Sequence, residues 1–218
     1  MKSGIKTLIG AALLAGGMTS ASATTTVAGI NFQDNAFADT VLSSSGIYTL
    51  GGATTLQDAV TGSSLTHYAF SFSPGAYIQA GFSDNYLVNG LGNDLALFEY
   101  GVPDTFAVSV TVGGVTHSYL SVATGFTGVV DGTTWDVNVA EINLDDFGVA
   151  AGAELSSIVI GMDTQGSGGT VPSLGVVGAL NSSPVNQSVP DAGSTISLLG
   201  MAFLGFGVFR RNLFKRNI

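Results

Sequence analysis

Carboxylates are the commonest ionisable side chains in this sequence. The chain of 218 residues carries 15 Asp and Glu residues, 2 His and no Cys. Several of the acids stand beside turns, where carboxylate and backbone carbonyl oxygens can together surround a hard cation such as calcium. The candidate calcium ligands are Asp94, Glu99, Asp145 and Asp163.

Three acidic neighbourhoods support this expectation. One is Asp163 with Gln165 and the loop 166–169, and the other two also have a plainer explanation. Residues 89–94 read Asn-Gly-Leu-Gly-Asn-Asp, a spacing that resembles one unit of the calcium-binding nonapeptide repeat. The unit occurs once, whereas that repeat needs several copies, and a tight turn explains the glycines equally well. Adjacent Asp145 and Asp146 suit a divalent cation, or they cap the turn into Phe147. The alternative to any calcium site is a set of dispersed, solvated carboxylates.

Catalytic motifs are scarce, so the sequence predicts a protein that is not an enzyme. It lacks a Cys nucleophile, a G-x-S-x-G elbow and an H-E-x-x-H zinc motif. His67 and His117 lie far apart in predicted strands, which favours structural histidines over a catalytic pair. A glycosidase needs two carboxylates across a cleft, and nothing in the sequence selects such a pair. Trp135 could stack on a sugar ring, but a single Trp in a strand is more often part of the core.

Strand patterns dominate the elements that must position these residues. Apolar and polar residues alternate over 67–72 and 106–112, and Gly113-Gly114 predicts a hairpin turn into 115–120. No helical stripe is sustained, although 145–151 predict one helical turn. Further strands are predicted over residues 25–32, 77–82, 95–98, 134–142, 155–162 and 174–180. We therefore expect an all-β fold, an antiparallel β-sandwich of jelly-roll-like type.

The basic residues lie only at the two ends of the chain. Lys2 and Lys6 precede the first apolar run, and the other four basic residues follow residue 209. Residues 24–190 contain no Lys or Arg, and the net charge is −9. A domain without cations has nothing to bind phosphate, which excludes a nucleic-acid partner. Basic clusters beside apolar segments are instead typical of an exported protein.

The N-terminal region has the three parts of a secretory signal peptide. Lys2 and Lys6 precede a short apolar core, and Ala21-Ser22-Ala23 forms an A-x-A cleavage site, with Ala21 and Ala23 as its small residues. We expect the Sec machinery to export the chain and cleavage to follow residue 23. Residues 24–180 then suit one extracellular domain, without disulfides because the chain has no Cys. Residues 181–188 form a predicted polar linker.

The C-terminal region also has three parts. Residues 189–195 read Val-Pro-Asp-Ala-Gly-Ser-Thr, an apolar segment follows, and residues 210–218 form a basic end. As a helix, 194–209 covers about 24 Å, which is short for a membrane core of about 30 Å unless arginines snorkel. Arg210 and Arg211 are expected to stop transfer and to stay cytoplasmic, with the acidic domain outside.

This tail resembles the VPDSG-CTERM variant of the PEP-CTERM sorting signals. Ala192 stands where those signals more often have Ser. The matching positions are Val189, Pro190, Asp191, Gly193, Ser194 and Thr195. The resemblance implies that the membrane enzyme exosortase processes the tail and that the protein reaches the cell surface or the extracellular matrix. An ordinary membrane anchor would explain Arg210 and Arg211 but not the motif before the helix.

The sequence therefore predicts an exported structural protein of the cell surface or extracellular matrix, held briefly in the inner membrane by its C-terminal helix. In such a matrix it would associate with biofilm exopolysaccharide. Two alternatives stay open at this point: a calcium-dependent carbohydrate-binding module and an extracellular glycan hydrolase.

Overall fold

The protein folds into antiparallel β-sheets, which confirms the all-β prediction. The computed structural model describes residues 24–163 and 169–185. The signal peptide, the sorting motif, the membrane helix and the basic end lie outside these residues. The strands are β1 (Thr24–Val27), β2 (Ile30–Gln33), β3 (Thr40–Ser45), β4 (Thr49–Gly51), β5 (Tyr68–Phe70), β6 (Tyr77–Gly81), β7 (Asn85–Val88), β8 (Leu95–Tyr100), β9 (Thr105–Ser109), β10 (His117–Leu120), β11 (Val122–Val130), β12 (Thr133–Ile142), β13 (Glu154–Leu155), β14 (Ser157–Gly161), β15 (Leu174–Ala179) and β16 (Ser182–Pro184).

A six-stranded sheet forms the centre of the domain, in the order β11-β12-β8-β15-β5-β4. Every residue of β8 and β15 is buried, because both faces of these central strands are covered. The predicted strands over 134–142 and 174–180 correspond to β12 and β15. The long edge strand β11 was not predicted, since its glycines and threonines break the apolar alternation.

A five-stranded sheet, in the order β10-β9-β14-β6-β3, shares one hydrophobic cluster with the six-stranded sheet. Ile78, Phe106 and Ile160 enter this cluster from the five-stranded sheet and Leu97 and Val177 from the six-stranded one, all fully buried. Burying an apolar side chain of this size contributes roughly 1.5–3 kcal/mol. The shared core fits the predicted β-sandwich, and its jelly-roll-like connectivity stays a prediction.

The first predicted strand, over residues 25–32, is instead the hairpin of β1 and β2. The chain reverses at Ala28 and Gly29, whose φ angles of 44° and 83° are those of a tight hairpin turn. Ala at a positive φ is uncommon, so the sequence carries only a weak turn signal here. Phe32 packs 4.9 Å from Phe37 and 6.0 Å from Phe98 between ring centroids, and the hairpin thereby covers part of the six-stranded sheet.

The predicted hairpin around Gly113-Gly114 joins β9 and β10, but its loop is longer than two residues. The strands pair from Thr105 with Leu120 to Val108 with His117. The hydroxyl of Ser109 and the amide of Gly114 both donate to the carbonyl of Thr111, at 2.9 and 3.0 Å. These local hydrogen bonds form a separate turn, so the pairing of β9 with β10 stops before the two glycines.

Two short helices occur in the described residues. The 3₁₀-helix Leu144–Phe147 lies at the predicted helical turn, where Asn143 accepts a hydrogen bond from the Asp145 amide. The helix α1 (Leu56–Val60) begins after Thr55, which accepts a hydrogen bond from the Asp58 amide. Neither helix, nor any other in the described ranges, has the length and apolar character needed to cross a membrane.

The expected linker over 181–188 is wrong at its start. β16 pairs with β7, and β7 pairs with β13, in a three-stranded sheet. The Asn181 side chain also donates a hydrogen bond of 2.8 Å to the buried carboxylate of Asp94. The folded domain therefore extends at least through Pro184, because these polar residues find partners that the sequence does not reveal.

The six-stranded sheet is strongly curved. Its two edge strands are β4 and β11, yet the amide of Gly52 donates a hydrogen bond of 2.9 Å to Asp131, in the turn after β11. Opposite edges of a flat sheet of six strands would stand more than about 20 Å apart, at about 4.8 Å per strand. The curvature therefore brings side chains of distant strands together on one face.

Candidate functional site

Aromatic side chains of three strands meet on the curved face of the six-stranded sheet. The ring centroid of Tyr68 on β5 lies 5.6 Å from Tyr100 at the end of β8. It also lies 6.4 Å from Trp135 on β12, with the two rings almost perpendicular at 84°. Two strands separate β5 from β12 in the sheet, so the contact depends on the curvature described above.

Tyr100 and Trp135 border an open pocket. Phe72, just beyond β5, packs 5.6 Å from Phe70 at 80° and extends the cluster to the surface. The pocket has a volume of about 280 Å³. We call it the aromatic pocket and define it by Phe70, Phe72, Tyr100, Val102, Asp104 and Trp135. Phe72 is 61% exposed and Trp135 38% exposed, so the expectation of a core Trp is wrong.

Glycines make room for the rings that form the base of the cluster. A Cβ atom at Gly175 would stand 2.6 Å from the Tyr100 ring, and one at Gly128 would stand 2.7 Å from it. A Cβ at Gly51 would likewise collide with the Tyr68 ring. Aromatic rings therefore lie close against bare backbone on neighbouring strands, and this packing fixes their orientation.

The carboxyl of Glu99, which precedes Tyr100 in β8 and points to the other face of the sheet, is fully buried. Its Oε1 accepts hydrogen bonds from the Asp104 amide, at 2.7 Å, and from the Ser121 hydroxyl. Its Oε2 has no hydrogen-bond partner among the described residues. Burial raises the pKa of Glu99 from 4.5 to about 7, although the hydrogen bonds from Ser121 and Asp104 oppose this shift. The carboxyl therefore titrates near neutral pH.

Two further polar groups stand at the aromatic pocket. Asp104 is buried, and its Oδ1 accepts a hydrogen bond of 2.6 Å from the half-buried hydroxyl of Thr170. The Tyr100 hydroxyl is buried and finds no partner in the described part of the chain. Burial raises the pKa of this hydroxyl, so it stays a neutral donor. Unpartnered polar groups inside a native domain are uncommon and call for an explanation.

Asp94 occupies a different environment at the other end of β8. The side chain is fully buried and accepts three hydrogen bonds. The donors are the Gly90 amide at 2.7 Å, the Leu144 amide at 2.8 Å and the Asn181 side chain at 2.8 Å. Asp94 thereby ties three chain segments together, and its oxygens are already occupied by N–H donors.

The structure brings together only two of the four predicted calcium ligands. Asp145 lies at the same junction as Asp94, where it accepts a hydrogen bond of 2.8 Å from Asn89. Glu99 stands at the opposite end of β8, and Asp163 accepts a hydrogen bond of 2.6 Å from the Gly75 amide in another loop. Within residues 24–163 and 169–185, no three His, Asp or Glu side chains converge in a way that could hold a metal ion. The calcium site stays a prediction.

A second pocket, of about 400 Å³, is acidic. Its lining residues include Asp34, Asp39 and Asp84, which the sequence spacing did not bring together. Asp39 accepts hydrogen bonds from the amide and hydroxyl of Ser83 at 2.9 and 2.7 Å. Burial, and then the charge of Asp39, raises the pKa of Asp84. These carboxylates come from two loops that are far apart in sequence, so spacing alone could not have grouped them.

The two histidines have separate local partners. His67 Nδ1 shares a hydrogen bond of 3.1 Å with the Thr66 hydroxyl. His117 packs edge-on against Phe147, with 4.9 Å between ring centroids. Each imidazole therefore has a neighbour that explains its position structurally.

Comparison with known proteins identifies the C-terminal tail. Residues 188–213 match the VPDSG-CTERM motif, the C-terminal sorting signal of exosortase substrates. No curated protein and no solved structure matches the chain significantly. The chain thus carries an exosortase sorting signal and is an exported protein sorted through it.

Proposed function

We propose that this exosortase substrate is a non-catalytic structural protein of the cell surface or extracellular matrix, where it associates with exopolysaccharide. One observation carries the proposal: the sorting signal at 188–213 follows a β-domain that has no Lys or Arg between residues 24 and 185. The signal sorts the exported protein, and the remaining question is what the domain does after sorting.

The hydrogen bonding of the buried acids favours a non-catalytic role. Asp94 is surrounded by N–H donors, and Glu99 is fully buried, so neither carboxyl meets solvent or substrate directly. A glycan hydrolase needs an acid and a second carboxylate facing one cleft. Loss of polysaccharide cleavage on replacing one carboxylate would be the result that favours the hydrolase instead.

The negative charge of the domain suits an extracellular protein whose neighbours are uncharged polymers. An anionic surface keeps the domain soluble and repels anionic polysaccharides. We expect Sec to deliver the chain, the segment 194–209 to hold it in the inner membrane for a short time, and release to follow tail processing. The carbohydrate-binding module is the second candidate function, and the aromatic pocket is the observation that favours it.

Calcium dependence is a separate proposal with its own test. A metal that binds only the folded state raises the melting temperature as its concentration increases. Calcium at millimolar concentration should then raise the melting temperature more than magnesium at the same ionic strength. An equal response to both ions would indicate charge screening among the carboxylates and would contradict a calcium site.

The experiment for the surface role compares the location of the wild-type chain with that of Asp191→Ala, expressed in the native cells. The wild type should leave the inner membrane and appear at the surface, while the variant should remain in the inner membrane. Gln187→Ala, at the position just before the matched residues 188–213, is the control and should behave as the wild type. Retention of the wild type in the inner membrane would contradict the proposal.

A further inference from the structure

We propose that the aromatic pocket binds a neutral pyranose sugar within a glycan chain. This inference rests on the proposed surface role and specifies the class of sugar that the domain binds there. Two exposed rings, Phe72 and Trp135, stand at the mouth, while Phe70 and Tyr100 lie deeper. One face of a pyranose ring presents several C–H groups, and such a face packs on the electron-rich face of an aromatic ring.

The exposure of apolar side chains around the pocket indicates that a ligand covers them. Phe72, Val102 and Trp135 are 61%, 56% and 38% exposed and all border the same pocket. Contiguous exposed apolar groups of this kind mark binding surfaces in soluble proteins. The pocket of about 280 Å³ is near the lower end of the range for small-ligand sites, roughly 300–1,000 Å³. It fits a sugar residue rather than a folded protein.

Polar groups around the pocket suit hydroxyl ligands. The Asp104 carboxylate accepts hydrogen bonds, and the hydroxyls of Thr170 and Ser173, which also line the pocket, both donate and accept. A few polar groups among aromatic walls are the usual composition of a site that orients a small polar ligand.

The negative charge of the domain favours neutral sugars over anionic ones as ligands of the pocket. No Lys or Arg lies between residues 24 and 185, so a uronate, sulfate or phosphate would meet carboxylates without a counter-charge. A small organic cation is the other ligand that aromatic rings attract. Such a cation needs several exposed ring faces around it, whereas Tyr100 is only 4% exposed and leaves two open walls. A neutral sugar therefore fits best.

The pocket is largely formed in the structure as it stands. Gly128 and Gly175 hold the Tyr100 ring between them, and the rings of Trp135 and Tyr68 lie almost perpendicular to each other. Rings that are already oriented lose little conformational freedom on binding, which preserves affinity. Phe70, Tyr100 and Trp135 come from β5, β8 and β12 of one sheet, a rigid support for this side of the binding site.

The test uses the emission of Trp135, the only Trp in the chain. The full chain is purified in a polyoxyethylene detergent, because maltoside and phosphocholine headgroups are themselves possible ligands. It is titrated with cello-, malto-, manno- and chito-oligosaccharides, with oligogalacturonate and with choline. We expect a saturable change of Trp135 emission with at least one neutral oligosaccharide and no change with oligogalacturonate or choline.

Two matched variants make the result specific. Phe72→Ala removes one wall and should weaken sugar binding about tenfold, the loss expected for one aromatic contact. Phe126→Ala removes an aromatic ring of similar exposure, 51%, that does not line the pocket, and should leave binding unchanged. The inference is overturned if no neutral oligosaccharide binds, if choline alone binds, or if Phe72→Ala binds as the wild type does. If the protein nevertheless reaches the cell surface, the proposed function is retained and only the sugar-binding inference is lost.

Discussion

The two ends of β8 bury carboxylates of the same kind in opposite ways. Asp94, one residue before the strand, accepts hydrogen bonds from Gly90, Leu144 and Asn181. Glu99, near the other end, keeps one oxygen without a partner among the described residues. Both side chains are completely buried, so burial alone does not distinguish them. The number of hydrogen-bond donors around each carboxylate distinguishes them.

This difference separates a structural end of the strand from an end that suits binding. At the Asp94 end, three N–H donors bind the carboxylate and join the loops, which stabilises the fold, and only the Oδ1 of nearby Asn89 lacks a partner among the described residues. At the Glu99 end, Tyr100 also lacks a hydroxyl partner among the described residues, and exposed rings surround a pocket. Places where a sequence tolerates unpaired polar and exposed apolar groups are where function is expected.

The largest expected effect comes from Asp94→Ala. The change leaves three donors inside the domain without their acceptor, and at roughly 1–3 kcal/mol for each we expect a loss of at least about 3 kcal/mol in the free energy of unfolding. Urea denaturation followed by circular dichroism measures it. Asp136→Ala, at an exposed carboxylate, should change the stability by less than about 0.5 kcal/mol. Equal effects of the two variants would remove the distinction drawn for Asp94.

The next effect concerns pH and Glu99. Its pKa is about 7 in the folded state against 4.5 when unperturbed, so folding favours the protonated carboxyl. The stability from this group is present below pH 4.5 and is lost as the pH rises to about 7, by roughly 3 kcal/mol. Glu99→Gln should abolish this fall, which denaturation at several pH values will show. A variant with the same pH dependence as the wild type would contradict the assignment, and Asp136→Asn is the control.

Gly175→Ala tests how the pocket end is built. The new Cβ would stand 2.6 Å from the Tyr100 ring, and overpacking of this kind costs roughly 1–3 kcal/mol in the free energy of unfolding. Gly132→Ala is not a suitable control, because that residue has a positive φ. Leu91→Ala, at a side chain 98% exposed, serves instead and should be neutral. A neutral Gly175→Ala would mean that Tyr100 is free to move.

The smallest effect is expected for Phe72→Ala. A ring that is 61% exposed contributes little to folding, so the free energy of unfolding should change by less than about 1 kcal/mol. Thermal denaturation of the wild type and the variant measures this change. A loss as large as that of Asp94→Ala would make Phe72 a structural residue and would erase the contrast between the two ends.

Local patterns in the sequence predict the strands better than the sites. β12 and β15 follow from apolar runs and alternation, and the turn at Gly113-Gly114 follows from its glycines. The hairpin at Ala28 and the strand β16 do not, because their pairing depends on turns and partners with weak local signals.

The sites depend on contacts that one sequence cannot reveal. The residues around Asp94 and Glu99 do not show which carboxylate finds its donors, because those of Asp94 include Asn181, 87 positions away. The meeting of Tyr68 and Trp135 depends on the order and curvature of the six-stranded sheet. By contrast, the sorting tail is a contiguous motif, and the sequence alone identified it.

The central claim is that this β-domain is delivered to the cell surface by a processed C-terminal signal. Intact-mass analysis of the protein from the membrane, surface and medium fractions of its native cells tests that claim most directly. We expect a species that begins at Thr24, ends within or next to residues 189–195 and is found away from the inner membrane. A species that still carries Arg210 and Arg211 and stays in the inner membrane would contradict it.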